Sequence, residues 1–320
     1  MMSSGDAIQS VLTPAGTQAS SIHHLWLLML WVMTVVFILT LGSTAVALMR
    51  GTRRTRTGLA TPSPRAMTWS VATAVTLTVC VLMGLLIASL WTGRATASLR
   101  ADSAVAVNVT GHQWWWEIEY EDAVPSRRVR TANELHLPIN RPVVIKVTSR
   151  DVIHSFWVPS LQGKRDLIPG YTTAIWLQAD RPGRFRGQCA EFCGLQHAHM
   201  AVDVITESEH EFEGWLDTMR QPGRDPAGPA EQRGRDVFLH ARCPGCHAIR
   251  GTEAAGQIAP DLTHIASRST LGAGTLANTP DNLAAWIQDP QHAKPGNQMP
   301  PNPLPTEDVH AVVAYLDTLR

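Results

Sequence analysis

The 320-residue sequence predicts a multidomain membrane protein: a hairpin of two transmembrane helices, then an all-β domain, then an all-α domain. Three observations carry this. Two uncharged apolar runs lie within residues 23–92, short β-rich runs fill 104–219, and helical patterning follows over 230–320, beyond a Pro- and Gly-rich linker at 220–229.

The first 22 residues are polar and lack a basic N-terminal region, so they do not resemble a cleavable signal peptide. Leu25–Met49 and Met67–Trp91 are free of charge. A helix of that length spans about 37 Å, enough for a hydrocarbon core of roughly 30 Å with some tilt. A buried soluble helix rarely stays uncharged for so long. The loop 50–66 between them carries Arg50, Arg53, Arg54, Arg56 and Arg65 and no acid, whereas residues 1–49 have no lysine or arginine. The positive-inside rule therefore puts the loop in the cytoplasm and both chain ends outside, with 1–22 an extracytoplasmic segment. Cys80 lies mid-helix and reads as inert packing.

In 104–219 the runs VAVNVTG, WWWEIEY, PVVIKVTS, TTAIWLQA and AVDVIT are separated by Gly, Pro and Asn, the pattern of a β-sandwich or barrel. Residues 207–220 then predict a closing helix with Phe212, Trp215 and Leu216 on one face. Three prolines stiffen the linker region. In 230–320, helices are expected over 230–241, 279–289 and 306–319, with Thr279 and Thr306 as N-caps. The formal net charge is zero, which argues against a nucleic-acid partner.

Two constellations carry chemistry. The first is CPGCH at 243–247. Cys-x-x-Cys-His marks covalent haem attachment, with Cys243 and Cys246 as thioethers and His247 as the proximal iron ligand. A redox dithiol would need a βαβ context, and a zinc site a second ligand pair; neither is present. Met299, the only methionine after Met219, lies in a Pro-rich loop between two expected helices and is the candidate sixth ligand. Here the chain resembles a small class I cytochrome c over 230–320. The resemblance implies that the Pro260 carbonyl orients His247 and that the terminal helices cross at Gly234, Phe238, Tyr315 and Leu316. His240, His264, His292 and His310 read as surface or packing residues.

The second constellation is QCAEFCGLQHAHM at 188–200. Cys189, Cys193, His197 and Met200 are soft or borderline ligands, and His154 upstream supplies a second imidazole. By ligand type alone, two thiolates and two imidazoles suit tetrahedral zinc, while the thioether favours copper and the paired thiolates suggest two bridged coppers. His199, His112 and His136 are left out of the site.

Residues 12–219 are similar to subunit II of cytochrome c oxidase, on the stretches GHQWWWEIEY, DVIHSFWVP and GQCAEFCGLQHAHM. That resemblance, caa3-type once the fused haem domain is counted, implies a cupredoxin domain with the binuclear CuA centre. Its ligands would be His154, Cys189, the Glu191 carbonyl, Cys193, His197 and Met200. The Glu191 side chain would reach a magnesium ion at the contact with subunit I. Trp114 would be the exposed residue at which electrons arrive, although alternating aromatics on a strand also suit packing. Many family members carry a glutamate before the second membrane helix; this chain has Arg65 and Ala66 there, so a proton-uptake role is not carried over.

The resemblance thus implies an oxidoreductase subunit in the respiratory chain of a bacterial cytoplasmic membrane, with both soluble domains outside. Electrons from cytochrome c or a similar donor would pass through haem c and CuA to subunit I. There oxygen is reduced and protons are pumped, with subunit III as a further partner. Two other readings remain: a CuA-containing nitric oxide reductase subunit, and a membrane-anchored copper-delivery protein. The latter has no need of a covalent haem.

Overall fold

The computed structural model describes residues 8–57, 63–97 and 104–320. The chain divides into two compact units, Ser20–Leu99 and the remainder. The first holds most of helix α1 (Thr17–Thr57) and helix α2 (Pro64–Ala97), both long and apolar enough to cross a membrane. Each outruns its uncharged run. Helix propagation adds one hydrogen bond per residue, and no proline interrupts 50–57. Pro64 occupies the first position of α2, where its missing N–H costs nothing. Of the expected loop 50–66, residues 58–62 lie outside the described residues.

In the second unit two five-stranded sheets stack as a sandwich. In chain order the strands are β1 (Val105–His112), β2 (Trp115–Tyr120), β3 (Val129–Ala132), β4 (Glu134–Pro138), β5 (Val143–Ser149), β6 (His154–Trp157), β7 (Arg165–Leu167), β8 (Thr173–Leu177), β9 (Gly183–Cys189) and β10 (Ala201–Glu207). One sheet runs β3-β2-β1-β5-β8 and the other β4-β10-β9-β6-β7. Strict alternation buries Val107 and Val109 from β1, Trp116 and Ile118 from β2, and Val143, Ile145 and Val147 from β5. Trp116 meets Phe156 edge to face, the favoured geometry for buried aromatic rings.

Segment 8–19 is not a free polar tail. Ile8 bridges to Phe185, and the amides of Ala15, Thr17 and Ala19 donate to Ser160, Gln178 and Leu161. Helix α3 (Glu209–Met219) closes the domain, started by a Ser208–Glu211 capping box. It buries Phe212 and Leu216, while Trp215 stacks on His136.

The second domain packs α4 (Pro229–His240), α5 (Pro280–Gln288), α6 (Pro290–Ala293) and α7 (Thr306–Thr318) around Phe238, Val312, Tyr315 and Leu316. Helices α4 and α7 touch backbone to backbone at Gly234, where a Cβ would fall on the Ala311 carbonyl. Phe238 then meets Tyr315 edge to face. Thr279 caps α5 as expected, accepting from the Asn282 amide. Thr306 is instead the first helical residue of α7, because Pro305 holds the extended N-cap conformation.

Segment 220–229 runs strapped to the fold. The Gly223 amide donates to Arg250 O, and the Arg250 guanidinium donates to the carbonyls of Arg220 and Arg128. His264, buried, bridges Gln221 O and Arg320 O.

Candidate metal centres

The first centre is built where two strand ends and one turn meet on one edge of the sandwich. β6 opens with His154, β9 ends with Cys189, and the turn 190–200 carries the rest. Six donor atoms converge. Cys189 Sγ lies 3.9 Å from His154 Nδ1, 3.2 Å from Glu191 O and 3.8 Å from Cys193 Sγ. Cys193 Sγ in turn lies 3.6 Å from His197 Nδ1 and 3.9 Å from Met200 Sδ. His154, Cys189, Cys193 and Met200 are buried. Gly194, at φ +109°, turns the chain between the second cysteine and His197, a conformation that favours glycine.

The electrostatics suit cations. Hydrogen bonding to Cys193 lowers the Cys189 thiol to about 3, and the same pairing, aided by burial, pushes Cys193 up. Without metal the pair therefore keeps one proton and one negative charge, and metal binding expels the proton. The donors divide into two sets: His154 and Glu191 O beside one sulfur, His197 and Met200 beside the other. Two soft metal ions would find a use for all six donors. One tetrahedral zinc would leave a buried thioether and a carbonyl unused. The residues fit a binuclear copper centre.

Sequence reasoning missed Asp151. Its Oδ1 lies 2.8 Å from His154 Nε2, and the carboxylate also accepts from the amides of Gln113 and Val152. Burial works to raise the Asp151 pKa, but these bonds outweigh it and lower the net value. A carboxylate on the far ring nitrogen leaves Nδ1 free to face the metal. Its only sequence signal was an acid three residues before the histidine. Asp151→Asn is expected to weaken copper affinity about 10- to 100-fold while leaving the capacity at saturating metal unchanged. Titration of the purified chain against a competing chelator measures this, and unaltered affinity would remove the orienting role.

The remaining histidines are engaged elsewhere. His199 Nδ1 meets Gln196 Oε1, in a helical turn (His197–His199). His112 pairs with Glu117, and His136 with Glu134 and Glu207. The Glu191 side chain is exposed.

Trp114 is not exposed, contrary to the sequence expectation. It is 8% accessible, and its indole Nε1 donates to Cys193 O at 2.9 Å, beside Gln113 Nε2 at 2.8 Å. The copper-ligand turn and the helical domain both cover it, and a Cβ at Gly194 would stand 3.2 Å from the ring. Gly296 comes so close that a Cβ there would stand 3.6 Å from the Trp114 ring and 3.3 Å from Leu195.

The second centre lies in the helical domain. A helical turn (Cys243–Gly245) brings the CPGCH segment into a single curl, with Cys246 N and His247 N both donating to Cys243 O. His247 Nδ1–H donates to Pro260 O at 2.7 Å, which fixes the tautomer and leaves Nε2 as the free acceptor. Burial lowers the His247 pKa, favouring the neutral ring that iron requires. Arg268, close enough to lower that pKa further, has a buried Nε with no partner. A group that brings carboxylates, as haem does with its propionates, answers that donor; the residues fit haem c. The Met299 loop is rigidly held: its amide donates to Asn297 Oδ1, and Gln291 Nε2 donates to its carbonyl.

The family model described as cytochrome c oxidase subunit II, periplasmic domain, matches residues 123–207, and the cytochrome c model matches 231–320. Cytochrome c oxidase subunit 2 of Alkalihalophilus pseudofirmus is 34% identical, the alignment covering 99% of this chain and 92% of that protein. Its counterpart from Bacillus sp. (strain PS3) is also 34% identical, over 69% of this chain and 64% of that one. Among solved structures, the periplasmic domain of subunit II of cytochrome oxidase from Bradyrhizobium japonicum is 31% identical. That match covers 38% of this chain and 96% of that one, with a TM-score of 0.35.

Proposed function

The chain belongs to the cytochrome c oxidase subunit II family, and from that premise we propose that it relays electrons from an external donor through its haem domain, then its copper domain, to catalytic subunit I. As a subunit II it works within an oxidase complex. In this reading the complex lies in a bacterial cytoplasmic membrane, with both soluble domains on the outer face, and subunit III is a further partner. The donor is cytochrome c or a protein like it, and the protons are pumped in subunit I.

When bound, binuclear copper and haem c each take up and release single electrons. The protein's part is to keep the ligands still while charge changes. Cys189, Cys193, His197 and Met200 sit on one tight turn, and His154 is clamped by Asp151. Cys243, Cys246 and His247 hold haem, with Met299 as the sixth ligand and Pro260 behind the proximal ring. Glu191 contributes its carbonyl to copper and, in this proposal, its exposed side chain to magnesium at subunit I.

One observation supports direct passage between the two domains. The loop bearing Met299 rests on the copper-ligand turn, where Gln196 Nε2 donates to Pro295 O at 2.8 Å. An external donor meets the haem domain where other proteins would meet Trp114. Trp114 thus serves as the crossing point inside the chain instead of the landing site outside it.

Transfer from haem domain to copper domain needs no diffusional encounter. Flash reduction of haem c in the purified complex is expected to reduce copper at a rate nearly independent of dilution and salt. Encounter of separate charged proteins, by contrast, weakens with salt over a Debye length of about 8 Å at 0.15 M. A rate that falls in proportion to dilution would mean that the haem domain serves a neighbouring complex.

A further inference from the structure

Of the chain's three lysines, Lys294 alone is buried, at 2% accessibility. It follows α6 and precedes Pro295, which disfavours the helical conformation at this residue (φ −144°, ψ 74°). An ammonium has three donors and no acceptor. Here all three are taken by backbone carbonyls: Trp114 O at 2.8 Å, His199 O at 2.6 Å and Gly272 O at 2.6 Å. Two belong to the β-domain and one to the haem domain. Among the described residues no ion pair includes Lys294.

The placement is specific. Trp114 donates its indole N–H to the carbonyl of Cys193, and His199 precedes Met200 in the chain. Lys294 therefore bonds to the copper-ligand turn directly at His199 and, through Trp114, at the Cys193 carbonyl. At its other end the loop 294–299 is pinned by Asn297 Nδ2, donating to Lys294 O, and leads to Met299. Neighbouring bonds follow the same seam: Gln196 to Pro295 O, and the Ala201 amide to Ala273 O at 3.0 Å.

Burying a charge is costly, and burial lowers the Lys294 pKa to about 7, with the nearby Cys193 thiolate acting in the opposite sense. The cost is offset only when three carbonyls from two domains meet at one point. Such a device selects one arrangement more than it adds stability. An arginine, planar and five-donor, does not reproduce the three-way fit.

We propose that Lys294 is a positioning residue for electron transfer between the two centres: its ammonium locks the Met299 loop onto Trp114 and the copper-ligand turn, and its positive charge favours the reduced state of the copper centre. The inference rests on the relay described above and adds a residue to it.

The test uses the full oxidase complex, loaded with haem and copper, as wild type, Lys294→Met and Lys294→Arg. Three readouts are followed: copper reduction after flash reduction of haem c, the midpoint potential of the copper centre, and hydrogen exchange at the Ala201 amide. That amide has its partner across the seam, so it is protected only when the domains are docked. Lys294→Met is expected to slow transfer roughly tenfold or more, equivalent to about 1.4 kcal/mol, to lower the copper potential and to deprotect Ala201. Lys294→Arg keeps the charge, so its potential should stay near wild type while transfer still slows. Wild-type transfer and potential in Lys294→Met would overturn the proposal. If that variant does not assemble, a wild-type transfer rate in Lys294→Arg does the same, and an unprotected Ala201 amide in the wild type does so without any variant. Failure of the wild type itself to pass electrons from haem to copper would instead sink the relay.

Discussion

Cys193→Ser is expected to abolish the binuclear copper centre and leave haem c untouched. Cys193 is the hub of the donor set, its sulfur within 3.9 Å of Cys189, His197 and Met200 sulfur or nitrogen atoms. Serine nearly matches its size, and the carbonyl that accepts from Trp114 and Gln113 is unchanged, so the turn keeps its shape. What is lost is a soft thiolate able to join two metal ions; a hydroxyl oxygen is hard and stays protonated at neutral pH. Losing an outer partner of a ligand typically costs 10- to 100-fold, so losing a bridging ligand should cut electron delivery to oxygen by more than ~100-fold. Elemental analysis of the purified complex should fall from two coppers in subunit II to one or none, with one haem c retained. Two coppers in the variant would overturn the bridging role of Cys193. One zinc in the wild type would overturn the copper reading altogether.

What the sequence made legible was what is local in the chain. Cys189, Cys193, His197 and Met200 follow each other within one turn, so their spacing already implied a common site. CPGCH is tighter still. The two apolar helices needed no tertiary information, although their ends did: α1 begins at Thr17, where the preceding residues are bound to the β-domain. Strands β3, β4, β7 and β9 escaped because they are short or carry Arg and Gly, and their pairing is settled by neighbours such as β10.

The residues that were not legible act over long separations. Lys294 reaches carbonyls 180, 95 and 22 positions away, and nothing in HAKPG announces it. Trp114 was expected in the open because the resemblance that implied it rests on stretches within 12–219, outside the haem domain. Its burial is shared between the Gly194 turn of its own domain and the 294–296 loop, and the loop's share is encoded by nothing within 104–219. Asp151 was visible as an acid near His154, yet only the fold of the 149–154 turn aims its carboxylate at the far ring nitrogen.

Met299→Ala is expected to lower the haem potential without releasing the haem. Cys243 and Cys246 keep the covalent attachment, and His247 keeps its hydrogen bond to Pro260 O. Methionine opposite histidine raises the potential of a cytochrome c. Axial ligands span about 0.8 V across haem proteins, so loss of the thioether should lower it on the order of 0.1 V. At 59 mV per tenfold for one electron, that is a roughly fiftyfold drop in the equilibrium share of reduced haem at a fixed donor poise. The sign separates two steps. A lower potential makes the haem domain a stronger reductant towards copper, so the internal step should not slow for want of driving force. Uptake from the donor should slow, and with it the steady flux to oxygen. The variant should also bind small exogenous ligands at the vacated sixth position, which a shift of the visible spectrum reports. An unchanged spectrum and potential would mean that another side chain ligates the iron. His292, exposed and seven residues earlier in the same region, would then be the first to replace.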